Sequence, residues 1–205
     1  CTVPALITAG GEVVADSTDI LRWCDAHGQA PALAPPELPE AAELEDEFDR
    51  HLGPAARRLG FSEERLVRLR RAAALHDIGK LGVSNAILDK PGALTPPEWQ
   101  AMRGHTRHTL EILDGVPIFR ELAVDAAAHH ERLNGSGYHL GLQGAALSPS
   151  ARVLAVADVT DALRSDRPYR AGLPVERVVR MLSEDAETGK MCPQSVAAMV
   201  EVLRA

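Results

Sequence analysis

The sequence predicts a mainly α-helical domain preceded by a small, partial α/β segment. Three features predict it. Helix-starting and helix-ending residues recur from Ser62 onward, two short apolar runs separated by glycines lie near the other end, and prolines at 31, 35, 36 and 39 divide the two regions.

Residues 3–8 (VPALIT) and 12–15 (EVVA), separated by Ala9, Gly10 and Gly11, read as a β-hairpin with a short glycine turn. Ser17 caps a helix through about Ala26, with Ile20, Leu21 and Cys24 on one face, and Gly28 ends it. The prolines that follow forbid regular structure and mark a linker or long loop. An acidic helical stretch from Glu40 to His51 comes next, broken or kinked at Gly53-Pro54. Beyond Ser62, Leu66, Leu69, Ala73 and His76 fall on one face of a helix that carries His76 and Asp77. Thr95, Pro96 and Glu98 combine an N-cap, a proline at the first helical position and a capping-box acid. They start a helix that reaches about Leu113 and carries His105 and His108. The next helix, from about Pro117 to Arg132, delivers His129 and His130 at its C-terminal end, ahead of the glycine-punctuated loop 134–144. Another begins near Pro149 and carries Asp158 and Asp161, and two more, opened by Pro174 and Pro193, are expected to serve packing. The expected organisation is a segment of residues 1–55 followed by a helical domain of residues 56–205.

With 205 residues, 45% of them apolar, the chain is long enough to bury a core. No run approaches the ~20 apolar residues of a membrane span, and the first residues lack a signal pattern, so a cytoplasmic location without membrane partners is expected. Cys1, Cys24 and Cys192 are widely spaced and odd in number, which suits reduced thiols better than a disulfide framework or a thiolate zinc site. A formal charge of −7 disfavours long DNA or RNA as a partner, while a local basic pocket for a small anion stays compatible with it.

His76, His105, His108, His129, His130 and His139 fall within one third of the chain. Any one of them alone is more often a surface or core residue than a ligand, so the weight rests on their joint pattern. Imidazoles and carboxylates gathered from several helices suit two divalent ions, because a carboxylate bridges metals while imidazole nitrogens complete the shells. His76, Asp77, His105, His129, His130 and Asp158 are such a set. Paired ions lower the pKa of a bound water and clamp the attacking and leaving oxygens of a phosphodiester, so hydrolysis needs no protein nucleophile. Nitrogen and oxygen donors without cysteine favour iron or manganese over a structural zinc. Taken singly, the adjacent histidines also fit a dipole-complementing helix cap, and Asp158 with Asp161 a solvated helix face.

His76-Asp77-Ile78-Gly79-Lys80, ILDKPGALTPPEW (87–99), His105, HHERLNGSGY (129–138), ARVLAVADVTDAL (151–163) and SDRPYR (165–170) together resemble the successive motifs of the HD-GYP family. The resemblance covers about residues 56–205. It implies a helical domain of the HD superfamily and a metal-dependent phosphodiesterase that hydrolyses cyclic di-GMP to pGpG or GMP, with two or three divalent ions. Position by position, it implies metal ligands at His76, the bridging Asp77, His105, His129, His130 and Asp158. Lys80 would face a substrate phosphate, while Tyr138, Arg167 and Arg170 would hold the dinucleotide, an aromatic face suiting guanine and guanidinium forks suiting phosphate. A homodimer or a signalling protein partner is compatible with the resemblance.

Two departures qualify it. His139 stands where the family's signature has proline, and no histidine stands near Leu44 and Glu45, where the family supplies a further ligand. Glu40, Glu43, Glu45 and Glu47 offer carboxylates there. The alternative reading is therefore an impaired module that binds a nucleotide or a partner without turning it over. The first 57 residues are similar, through VPALI, Asp16-Ser17, Trp23 and DEFDRHLGPAAR (46–57), to the second half of the glutathione-binding, thioredoxin-like domain of glutathione transferases. The thiol-activating half has no counterpart, so a fusion or fragment beginning at Cys1 is expected, without a working glutathione site.

Overall fold

The computed structural model describes residues 6–7, 13–14, 48–166 and 171–205. The expected hairpin is present as a short antiparallel ladder of β1 (Leu6–Ile7) and β2 (Val13–Val14), with Leu6 opposite Val14 and Ile7 opposite Val13. The helix capped by Ser17, the proline-rich stretch and the acidic stretch as far as residue 47 lie outside the described residues.

Gly53-Pro54 starts a helix instead of breaking one. A π-helical turn at Phe48–Leu52 runs into α1 (Gly53–Arg58), where Pro54 occupies the first turn and its missing N–H costs no hydrogen bond. In α2 (Glu63–Leu75), Ser62 Oγ accepts from the Arg65 N–H, and Glu63 and Glu64 lie at the positive end of the dipole. A 3-10 turn follows at Ile78–Gly82, then the short α3 (Asn85–Leu88). The Glu98 carboxylate reaches back to accept from the Thr95 N–H at 2.7 Å, which sets the start of α4 (Pro96–Arg103) as expected.

Two expected helices differ from the structure. The one from Thr95 to Leu113 is divided at Gly104 into α4 and α5 (His105–Asp114), and the one from Pro117 to Arg132 is only α6 (Arg120–Ala127), with His129 and His130 in the turn beyond it. After a 3-10 turn at Gly144–Ala146 come α7 (Pro149–Arg164), α8 (Val175–Glu187) and α9 (Pro193–Leu203), close to expectation.

α7 lies at the centre of the larger core cluster. Its Val153, Leu154 and Val156 pack with Leu66 and Leu69 of α2, Val178 and Leu182 of α8, Val196 and Met199 of α9, and Leu52, Ala55 and Ala56. A second cluster joins Ala72 to Leu113, Val116, Phe119, Leu122, Ala123 and Ala126. α2 thus contributes to both, and the fully buried leucines, each worth roughly 1.5–3 kcal/mol, anchor the helix that ends at His76. Among the described residues, no helix is long and apolar enough to cross a membrane.

Candidate metal centre

Each of three histidines sits just beyond the last turn of a helix. An α-helix leaves its last carbonyls without intrahelical partners, and here an imidazole takes one of them. His76 Nδ1 bonds the Ala73 carbonyl at 2.6 Å, His105 Nδ1 the Met102 carbonyl at 2.7 Å, and His129 Nδ1 the Ala126 carbonyl at 2.6 Å. A carbonyl only accepts, so Nδ1 carries a proton, and in the neutral ring the Nε2 lone pair is the one left for a metal. At the second of these ends the Met102 carbonyl also accepts a backbone N–H, so its two lone pairs serve the helix cap and the imidazole together.

The free Nε2 atoms converge on Asp77. Its Oδ1 lies 3.5 Å from His105 Nε2 and 3.8 Å from His129 Nε2, and its Oδ2 lies 3.5 Å from His76 Nε2. The two Nε2 atoms of His105 and His129 are 3.3 Å apart. Donors about 2.1 Å from a shared ion are themselves separated by about 3–3.5 Å, which these spacings approach. Asp158 spans the other side, with Oδ1 3.8 Å from His76 Nε2 and Oδ2 3.7 Å from His130 Nδ1. Two triads, His105–His129–His130 and His76–Asp77–His129, have all their donor atoms within 4.8 Å of one another, and either could hold an ion, His129 giving its single free nitrogen to one of them.

Charge follows from this packing. Burial pushes the His129 imidazole well below its ordinary pKa and lowers His105, while burial and then the charge of His105 push His130 down to about 3. Burial alone would raise Asp77, but the charges of His76 and Lys80 outweigh it and hold this carboxyl well below the usual carboxylate range. Asp158 is raised by burial, partly offset by His76. Imidazoles of His105, His129 and His130 held toward the neutral form beside an ionised carboxylate, with no thiolate among them, form a donor set that fits divalent metal.

Lys80 Nζ pairs with Asp77 Oδ2, so its ammonium stands at the carboxylate edge of the cluster. The Tyr138 ring lies 5.1 Å from that of His130, and the Arg103 guanidinium sits 5.2 Å from its centroid. Arg167 and Arg170 lie outside the described residues, as does the acidic stretch 40–47. His108 is apart from the cluster, with Nδ1 3.3 Å from Glu111 and its ring against Gly82. His139 Nδ1 meets Thr106 Oγ1 at 3.0 Å.

Sequence reasoning missed Thr109 and gave no role to Gly79. Thr109 Oγ1 donates to the His76 carbonyl at 2.8 Å and accepts from the Gly79 N–H at 3.0 Å, tying the His-Asp turn to α5. Thr109→Val keeps the shape and leaves both backbone groups unpaired, so a loss of roughly 1–3 kcal/mol is expected, read as an earlier urea midpoint at unchanged slope.

The chain belongs to the HD domain family, whose model matches residues 33–194, and within it to the HD-GYP type that its motifs resemble. A "3'3'-cGAMP-specific phosphodiesterase 3" of Vibrio cholerae is 46% identical over 148 residues, which are 72% of this chain and 32% of that one. A "Cyclic di-GMP phosphodiesterase" of Thermotoga maritima is 40% identical over 153 residues, 73% of this chain and 41% of that one. The chain therefore spans well under half the length of these curated relatives. Among solved structures, an HDG"Y"P protein of Bdellovibrio bacteriovorus superposes with a TM-score of 0.63 at 18% identity, covering 92% of this chain and 61% of that one, a likeness of fold. The similarity of residues 1–57 to glutathione transferases gains no support from these comparisons.

Proposed function

We propose that this domain is a metal-dependent phosphodiesterase of cyclic dinucleotides, hydrolysing cyclic di-GMP to pGpG or GMP in a cytoplasmic signalling role. The observation that carries the reading is that the two oxygens of Asp77 face different imidazoles, His76 on one side and His105 and His129 on the other. A carboxylate so placed can bridge two ions. When bound, such ions supply Lewis acidity that activates water and neutralises charge on the phosphodiester. His76, His105, His129, His130, Asp77 and Asp158 would hold them, with iron or manganese favoured by the donor set.

The other residues position substrate. Tyr138 offers a ring for a base to stack on beside His130. Lys80 is at the carboxylate edge and would answer a phosphate, as would Arg167 and Arg170. The similarity to a 3'3'-cGAMP-specific enzyme favours a second substrate of the same class, 3'3'-cGAMP. The chain divides into a segment of residues 1–55 and the helical domain of residues 56–205, and it acts as a homodimer or with a signalling protein partner. The turn Phe48–Leu52 lies before that division, and its Leu52 packs into the larger core of the helical domain.

Steady-state hydrolysis of both dinucleotides tests the reading, and absence of turnover in a protein that loads metal incompletely would favour the impaired binding module. Arg167→Ala and Arg170→Ala are each expected to weaken dinucleotide binding roughly 10- to 150-fold, the range for loss of a charged hydrogen bond, at unchanged metal content. Loss of metal from either variant would contradict that division of roles. His108→Ala is the control, expected to leave metal stoichiometry intact.

A further inference from the structure

The Glu131 side chain is 2% exposed and carries a carboxylate that no cation pairs within salt-bridge distance among the described residues. Its Oε1 accepts from the Leu140 N–H at 2.6 Å and the Gly141 N–H at 3.1 Å, while Oε2 is buried without a hydrogen-bond partner. A buried acid half-satisfied in this way needs a reason, and the fold of the loop above it supplies one. Residues 137–141 turn back over the backbone of 130–132. The Tyr138 N–H reaches the His130 carbonyl at 3.4 Å, and a Cβ on Gly137 would stand 2.4 Å from Glu131 Cα and 2.5 Å from Arg132 N. The loop is therefore fixed at two points, backbone contact at 137–138 and the carboxylate at 140–141, with Tyr138 and His139 between them.

We propose that Glu131 is a positioning residue for the dinucleotide, acting through the loop to hold the Tyr138 ring beside His130. The proposal rests on the phosphodiesterase reading, because it gives Tyr138 the substrate-stacking role assigned there. Glu131 touches neither metal nor substrate. Two amide donors converge on one carboxylate oxygen, and removing that acceptor strands both of them inside the protein. The loop then gives up its register against His130.

The test compares Glu131→Ala, Glu131→Gln, Tyr138→Ala and the Glu131→Ala/Tyr138→Ala double variant for hydrolysis, metal content and hydrogen exchange. Glu131→Ala is expected to raise KM about 10- to 100-fold, the scale of a ~1 Å misplacement, with metal content unchanged and faster exchange confined to the loop 137–141. Glu131→Gln keeps a carbonyl acceptor and should recover most of the loss. The double variant should match Tyr138→Ala, since a residue acting through Tyr138 has nothing to add once that ring is gone. Should Glu131→Ala fail to fold, Gly137→Ala displaces the same loop from above and must raise KM in the same way. A fall in kcat or metal content at unchanged KM, additive effects in the double variant, or unaltered loop exchange would each overturn the proposal. A parent protein that hydrolyses neither dinucleotide overturns the phosphodiesterase reading instead, and loop exchange alone then decides whether Glu131 holds the loop.

Discussion

Asp77→Ala is expected to remove bound metal and abolish hydrolysis together. Both oxygens of this carboxylate are engaged, one toward His105 and His129 and the other toward His76, so its loss strips a donor from both ion positions at once. Loss of a group that merely supports a ligand costs about 10- to 100-fold, and a shared ligand should exceed that. Asp77→Asn preserves the shape and sharpens the comparison, since a neutral amide oxygen is a poorer donor and its nitrogen cannot coordinate. Metal analysis of both variants beside the parent checks the prediction. Full metal content with unchanged turnover would show that the carboxylate is only an ion-pair partner of Lys80.

Gly79→Ala carries the other large effect. A Cβ at this position would lie 1.9 Å from the His105 carbonyl oxygen and 2.4 Å from the Thr109 nitrogen, both of them backbone atoms that cannot swing aside. The 3-10 turn must therefore lift off α5. Overpacking of this severity costs about 3 kcal/mol or more, which for a chain of this size lowers the unfolding midpoint by roughly 6–12 °C. It also separates Asp77 from His105, so metal affinity should fall even in molecules that remain folded. A melting curve that overlays the parent's would mean that the turn and α5 are less tightly coupled than their contacts imply.

The helical class and most helix starts were legible because capping chemistry is local. Ser62, Thr95 with Glu98, and the prolines at 149 and 193 act within one turn of themselves and need no tertiary information. Helix ends were less legible. In sequence Gly104 reads as a helix-interior residue and His129 as part of a helix that stops at Ala127, whereas in the structure an imidazole at each of these ends bonds the carbonyl three residues back. Those bonds are visible only once the histidines are known to face one another. The same holds for Thr109 and Glu131: nothing in their sequence neighbourhood announces contacts to the His76 carbonyl or to the Leu140 and Gly141 amides. The histidine and aspartate cluster is readable as a set, since its members follow a recognisable order, while the placement of three imidazoles around the two oxygens of Asp77 is visible only in the structure.

The two-metal phosphodiesterase reading is tested by metal titration of the parent chain, followed by analysis of bound metal and assay of the same preparation for hydrolysis of cyclic di-GMP and 3'3'-cGAMP. About two divalent ions are expected per chain, with turnover that rises as the second ion binds and disappears with chelation. Hydrolysis that persists in the metal-free protein, or a chain that saturates at a single ion with full activity, would contradict it.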